Sequence, residues 1–319
     1  MWWDKPTAQK KPEKEQEPLP FMKMRWLGFL ISALIMVATT VSLATQGLNM
    51  GLDFTGGVQI TASRSTVFDA GVVRQQVAAA GFEESNVTTA DNGNTVLIRV
   101  PAQEDAADID TVARQVSAAL GEGITIRDAA AVSGKVSDEL FQGGIIAAGL
   151  ALVAIALYIW FRFESKFGWA ALITTFHDVY SIVGVFSIFQ HWLTFDLTII
   201  AGVLTLAGYS INDKVVVFDR IREMLKKYKK IPLPRVIDIS ITATLSRTLI
   251  TSLATMMAGG AMLFLGGPVL FGFAVSICFG IVIGTYSSIF VAAPLLIHLP
   301  GRVPGQRISG TDQAAEAVS

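Results

Sequence analysis

In the stretch GYSINDKVVVFDRIRE, residues 208–223, Asn212, Asp213 and Lys214 interrupt an apolar run that begins at Leu197 and resumes at Val215–Phe218. His177–Asp178 and Arg247 interrupt two further apolar runs, and Asp196 stands at the outer, interfacial end of the run that holds Asp213. A charge at bilayer depth costs at least about 2.5–3.5 kcal/mol on the insertion scale, so such residues mark pathways and relays. A carboxylate placed there can take up and release a proton, because its charge state answers to desolvation and to neighbouring cations.

Spacing suggests which of these residues meet. With Asp219 as the inner edge of its run, Asp213 lies six residues in, about 9 Å. The next run starts near Ile239–Ile241, which puts Arg247 six to eight residues in, about 9–12 Å. The two charges fall at matching depth on consecutive antiparallel helices, and a pair between Asp213 and Arg247, direct or through water, is expected. Tyr209, Ser210, Thr244, Thr248 and Thr251 flank them at helical spacing. Such a pair either fixes helix register or carries a proton. His177 and Asp178, about ten residues into their own run, are either a satisfied polar spot or part of the same relay. The proton-path candidates are therefore Asp213, Arg247, Asn212, Asp178 and His177. No nucleophile–base arrangement and no metal-ligand spacing stands out, so the sequence reads as non-enzymatic, without metal or cofactor.

The elements that must hold these residues are membrane spans. Of 319 residues, 52% are hydrophobic and 16% charged, against about 25% charged in a typical soluble domain. The net charge of −1 gives no bulk attraction to nucleic acid, and the single cysteine, Cys278, excludes an intrachain disulfide. A span needs about 20 apolar residues. Six stretches qualify, near 25–45, 143–161, 168–190, 196–218, 242–265 and 269–297. The first reads as a retained helix rather than a cleaved leader. If the spans alternate, Lys5, Lys10, Lys11, Lys14, Lys23 and Arg25, then Arg162 and Lys166, then the Arg220–Arg235 cluster, then Arg302 and Arg307 all fall on one side. That side is cytoplasmic and holds both termini. Residues 1–24 and 300–319 read as cytoplasmic tails, the first disordered.

Residues 46–140 form the large loop on the other side, with thirteen acidic and six basic residues. Strands are expected at 58–63, 86–90, 95–101 and 124–132, and helices over 66–80 and 109–120, in the order βαββαβ of a ferredoxin-like motif. The fold class is thus an α-helical membrane protein with six spans and one small periplasmic α/β domain. In the last span Gly272, Ser276, Gly280, Gly284, Ser288 and Ala292 recur every fourth residue, a small-residue stripe suited to close helix packing.

Several motifs together carry a family resemblance: GLDFTGG at 51–57 (with Asp53, Gly56 and Gly57), RFE at 162–164, HD at 177–178, the 208–223 segment, RTLITS at 247–252, and GGPVLFGF at 266–273 (with Gly266, Gly267 and Pro268). From about residue 25 to 299 the chain resembles the SecD–SecF family within the resistance-nodulation-division superfamily. The resemblance implies an inner-membrane protein that works with SecD and YajC beside the SecYEG channel, in protein export driven by the proton-motive force. It maps a proton-path carboxylate onto Asp213 and its partnering cation onto Arg247. The family usually has a small hydroxyl residue after that aspartate, where this chain has Lys214. Adjacent helical positions point about 100° apart, so Lys214 is free to turn from Asp213 and snorkel to the cytoplasmic face, or else faces Asp213 and opposes its protonation. The alternative reading is half of a proton-coupled small-molecule exporter of the same superfamily.

Overall fold

The structure is a computed structural model that describes residues 17–83, 85–90, 93–101, 109–121, 123–132 and 134–300. Among the described residues, six helical stretches are long and apolar enough to cross a membrane. They are α1 (Arg25–Thr45), α5 (Gly134–Arg162), α6 (Ser165–Ile188), α7 (Leu197–Lys227), α8 (Leu233–Leu265) and α9 (Gly267–Ser287), the last continuing through a π turn at Ser288–Ala292 into α10 (Ala293–His298). Between α1 and α5 come the short α2 (Leu52–Thr55), then β1 (Gly57–Ser63), α3 (Ala70–Ala79), β2 (Asn86–Ala90), β3 (Thr95–Val100), α4 (Ile109–Leu120) and β4 (Thr125–Val132).

The ends of the spans follow from local chemistry. Asp196 caps α7, its Oδ1 accepting from the Ile199 amide at 3.1 Å. Pro234 sits in the first turn of α8, where its missing N–H costs no helical bond. Gly267 turns the chain between α8 and α9 at φ +68°, a conformation that side chains resist. The π turn ahead of Pro294 has a similar cause: proline has no N–H to donate to the carbonyl four residues back, and the wider turn absorbs the misfit. Helices α7 and α8 run past their apolar runs into the basic segment, so most of the Arg220–Arg235 cluster is helical rather than loop.

Helix α7 is the centre of the bundle and packs against α5, α6, α8 and α9. The small-residue stripe of α9 lies along it: a Cβ at Gly272 would meet Ile199 at 2.6 Å, one at Gly280 would collide with Leu206, and one at Gly284 would meet Ser210 at 3.3 Å. Two apolar clusters fill the bundle. One, at the basic end, gathers Phe163, Phe167, Phe218, Ile221, Val236, Ile237 and Leu296. The other, near the α/β domain, gathers Ile182, Phe186, Ile199, Val203 and Leu206. The outward sides of α5 and α8 expose large apolar side chains such as Leu150, Leu157, Leu253 and Met257.

The small domain is a four-stranded antiparallel sheet in the order β2-β3-β1-β4. Alternate strand residues point to opposite faces. Ile60, Ala62, Val87, Val96 and Ile98 face α3 and α4 and bury Val73, Val77, Val112 and Val116 with them. The helix expected over 66–80 starts later, at Ala70, because Asp69 accepts from the Gly71 and Val72 amides and fixes the cap there. The turn expected at 91–93 lies mostly outside the described residues.

The N-terminal tail needs a correction. Residues 1–16 lie outside the described residues, but Phe21–Met24 form a 3-10 helix that leads into α1. The Leu19 amide donates to Thr242 Oγ1 at 3.0 Å, and the amide of buried Met22 donates to Asp238 Oδ1 at 2.9 Å. Two side-chain acceptors on α8 hold this segment, so the chain is ordered before Arg25. Residues 301–319 are also outside the described residues.

Candidate functional site: a polar layer inside the bundle

Between the two apolar clusters lies a layer of buried polar side chains on α6, α7 and α9. Asp178 is its hub and is fully buried. Its Oδ2 accepts from Lys214 Nζ at 2.6 Å, Ser210 Oγ at 2.5 Å and Ser287 Oγ at 2.8 Å. His177 Nδ1 lies 2.9 Å from its Oδ1. Lys214 is fully buried too and also donates to Ser210 Oγ. The result is an ion pair with hydroxyls closing its remaining valences, the arrangement a buried pair requires.

Lys214 therefore takes neither course open to it in the sequence. It does not snorkel to the basic end and does not pair with Asp213. Helical side chains lean toward the N-terminus of their helix. Helix α7 ends at the basic end, so Lys214 leans back toward Ser210, one turn earlier, and into the bundle. The same rule, with the i, i+4 spacing of Ser210 and Lys214, is the signal by which the sequence could have paired Lys214 with Asp178. Ser287 carried no such signal, because its place depends on the close α7–α9 packing.

The expected pair of Asp213 with Arg247 is not formed. Asp213 is buried, and its Oδ1 accepts from Thr248 Oγ1 at 2.7 Å. Its Oδ2 is buried with no hydrogen-bond partner among the described residues, as is His177 Nε2. Arg247 is exposed. The depth estimate held but the angle around α8 did not. Asp238, Ser240, Thr244 and Thr248 are buried polar residues on α8, and Arg247, about 100° away from Thr248, falls on the outer side. Asn212 is exposed as well. Of the five proton-path candidates, three are inside the bundle and two are on its surface.

A second polar assembly joins the α/β domain to the helix ends. In α2 and the following turn, Asp53 Oδ2 accepts from the Leu197 amide at 3.2 Å, and Gly56 and Gly57 turn the chain at φ +67° and +117°. Asn49 Nδ2 donates to the Gln190 and Leu193 carbonyls, and its Oδ1 accepts from Asn86 Nδ2 at 2.8 Å. Arg99, on the sheet face opposite α3 and α4, donates from Nε to Gln59 Oε1 at 3.0 Å and from Nη1 to Thr194 Oγ1 at 2.6 Å. Burial holds its guanidinium below the ordinary arginine value, against the opposing pull of Asp196 and Asp53. Replacing Arg99 with Met is expected to cost about 1–3 kcal/mol by stranding these acceptors. Hydrogen exchange should then quicken in β3 and in residues 190–197, and unchanged protection there would show that Arg99 does not hold the junction.

The bundle and its polar layer define a multi-pass membrane protein with ionisable groups set between its spans. Residues 112–302 match the family described as protein export membrane protein SecD/SecF, C-terminal, and residues 41–65 match the SecD/SecF GG motif. The protein translocase subunit SecF of Haemophilus influenzae is 40% identical over 272 residues, covering 85% of this chain and 83% of that protein. The translocase subunit SecDF of Brucella abortus is 34% identical over 300 residues, covering 93% of this chain and 39% of that protein. The crystal structure of SecDF from Thermus thermophilus superposes with a TM-score of 0.80 at 32% identity, covering 90% of this chain and 39% of that one. The chain belongs to the SecD/SecF family of protein export membrane proteins.

Proposed function

We propose that the chain is a SecF-type subunit of the accessory complex of the Sec protein translocase, and that it uses the proton-motive force to promote protein export across a bacterial inner membrane. In this reading it pairs with SecD and acts with YajC and the SecYEG channel. Both termini are cytoplasmic, and the α/β domain is periplasmic and ferredoxin-like, as its βαββαβ order and β2-β3-β1-β4 sheet suggest.

The observation that carries the proton reading is Asp213, a buried carboxylate with one oxygen held by Thr248 and the other without a partner among the described residues. An oxygen in that state is where a proton would bind. Asp178 has the opposite character, since Lys214 and two hydroxyls hold its charge in place. The two carboxylates divide the work, Asp178 as a fixed structural charge and Asp213 as the one free to change. Partnering with SecD is supported by the SecDF relatives, in which a segment like this chain covers 39% of a longer polypeptide. Arg247 and Asn212, polar and exposed on adjacent helices at membrane depth, are what a second half would cover.

The test is reconstitution of inner-membrane vesicles depleted of this chain. Adding it back together with its partner should restore the extra translocation of a secreted protein that a proton gradient provides. Restoration that is equal with and without the gradient would leave an export role and remove proton coupling.

A further inference from the structure

The inner ends of α1 and α8 flank an open cavity of about 500 Å³ at the basic end of the bundle. Lys23, Arg25 and Arg235 line it, with Trp26 and Pro234 beside them and Asp238 as its carboxylate. Asp238 is occupied by the Met22 amide. Among the described residues none of the three cations forms an ion pair, and Arg25 Nε is buried without any hydrogen-bond partner. At the same end Arg162 pairs with Asp219, and Arg222 with Glu164 at 3.0 Å. Lys23 and Arg235 attract the Asp238 carboxylate from beyond ion-pair distance, but three cations against one carboxylate leave an excess of positive charge around the hollow, and that excess calls for an anion.

The surroundings say which anion. The cavity sits where two spans begin, at the level of the bilayer boundary. From it an exposed apolar strip runs along α1 through Trp26, Leu27, Leu30 and Leu34, positions that share one helical face. An acyl chain fits that strip while its phosphate sits among the cations. A soluble phosphate has no use for the strip, and an acidic peptide has no use for a site that faces lipid. We propose that this cavity binds the phosphate headgroup of an anionic phospholipid, with an acyl chain laid along the Trp26–Leu34 face. Basic pockets between spans are the usual recognition device for such headgroups. The lipid would tie the ordered N-terminal segment to α8 and reinforce the contacts at Thr242 and Asp238.

The experiment is native mass spectrometry of the full chain in detergent, titrated in turn with phosphatidylglycerol, phosphatidylethanolamine and glycerol 3-phosphate. Phosphatidylglycerol should bind at least about tenfold more tightly than phosphatidylethanolamine, which has the same phosphate but brings an ammonium up against the three cations, and glycerol 3-phosphate should not displace it. The double variant Lys23→Gln, Arg235→Gln should lose that preference, while Lys226→Gln, Lys229→Gln, which removes the same charge from the same end, should keep it. Lys23 and Arg235 are exposed, so the variant should fold, and an unchanged melting temperature will verify this. An absent preference, an equal loss in the Lys226 and Lys229 control, or displacement by glycerol 3-phosphate would each overturn the proposal.

Discussion

Replacing Lys214 with Met is expected to destabilise the folded chain by about 3–5 kcal/mol, the usual cost of leaving one member of a buried ion pair alone. Asp178 would keep Ser210, Ser287 and His177 but lose the ammonium in contact with it. Asp178→Asn should cost as much, because it buries an ammonium with only a hydroxyl and an amide oxygen for company. Asp178→Asn combined with Lys214→Met should recover most of the loss, since neither partner is then charged and Met is close to Lys in length. The coupling between the two sites should be the largest in the bundle. Unfolding in mixed micelles, followed by the near-ultraviolet signal of the tryptophans, measures all three variants. Additive single losses, with no recovery in the double variant, would mean that Asp178 and Lys214 do not form the pair that holds α6 to α7.

The sequence revealed the bundle and concealed its wiring, for a physical reason. Span number, the GLDFTGG element and the βαββαβ order are written in hydropathy, glycine placement and period, which are local properties. The strand at 86–90 and the helix at 109–120 coincide with the observed elements because turn residues bound them on both sides. The partner of a buried charge depends instead on rotation about a helix axis, and one residue of error is about 100°. Arg247 and Thr248 illustrate this. Depth along the axis put both near Asp213, and only the packed helices decide that the hydroxyl faces in. Lys214 erred in the other direction. Its charge suggested an escape to water, but the tilt of side chains along α7 sends it into the bundle, where Asp178 meets it.

Asp213→Asn is expected to leave the chain folded and abundant while abolishing the part of export that responds to a proton gradient. The asparagine oxygen can still accept from Thr248 at the 2.7 Å position. Its amide nitrogen would stand where Oδ2 now has no partner among the described residues, which limits the structural cost to about 1–3 kcal/mol. What disappears is ionisation. Thr248→Val, which keeps the shape and removes the donor, should weaken the gradient response without eliminating it, because the carboxylate survives. Arg247→Met serves as the internal control. Arg247 is exposed and unpaired with Asp213, so its loss should change the stability of the isolated chain by no more than about 0.5 kcal/mol. If Asp213 and Arg247 served instead as a register pair, both single variants would lose stability in parallel and the double variant would recover. Translocation of a secreted protein into vesicles, with and without a gradient and at matched protein levels, separates these cases. Full gradient stimulation in Asp213→Asn would assign the buried carboxylate to packing alone, and the proton would have to travel by a route that does not use it.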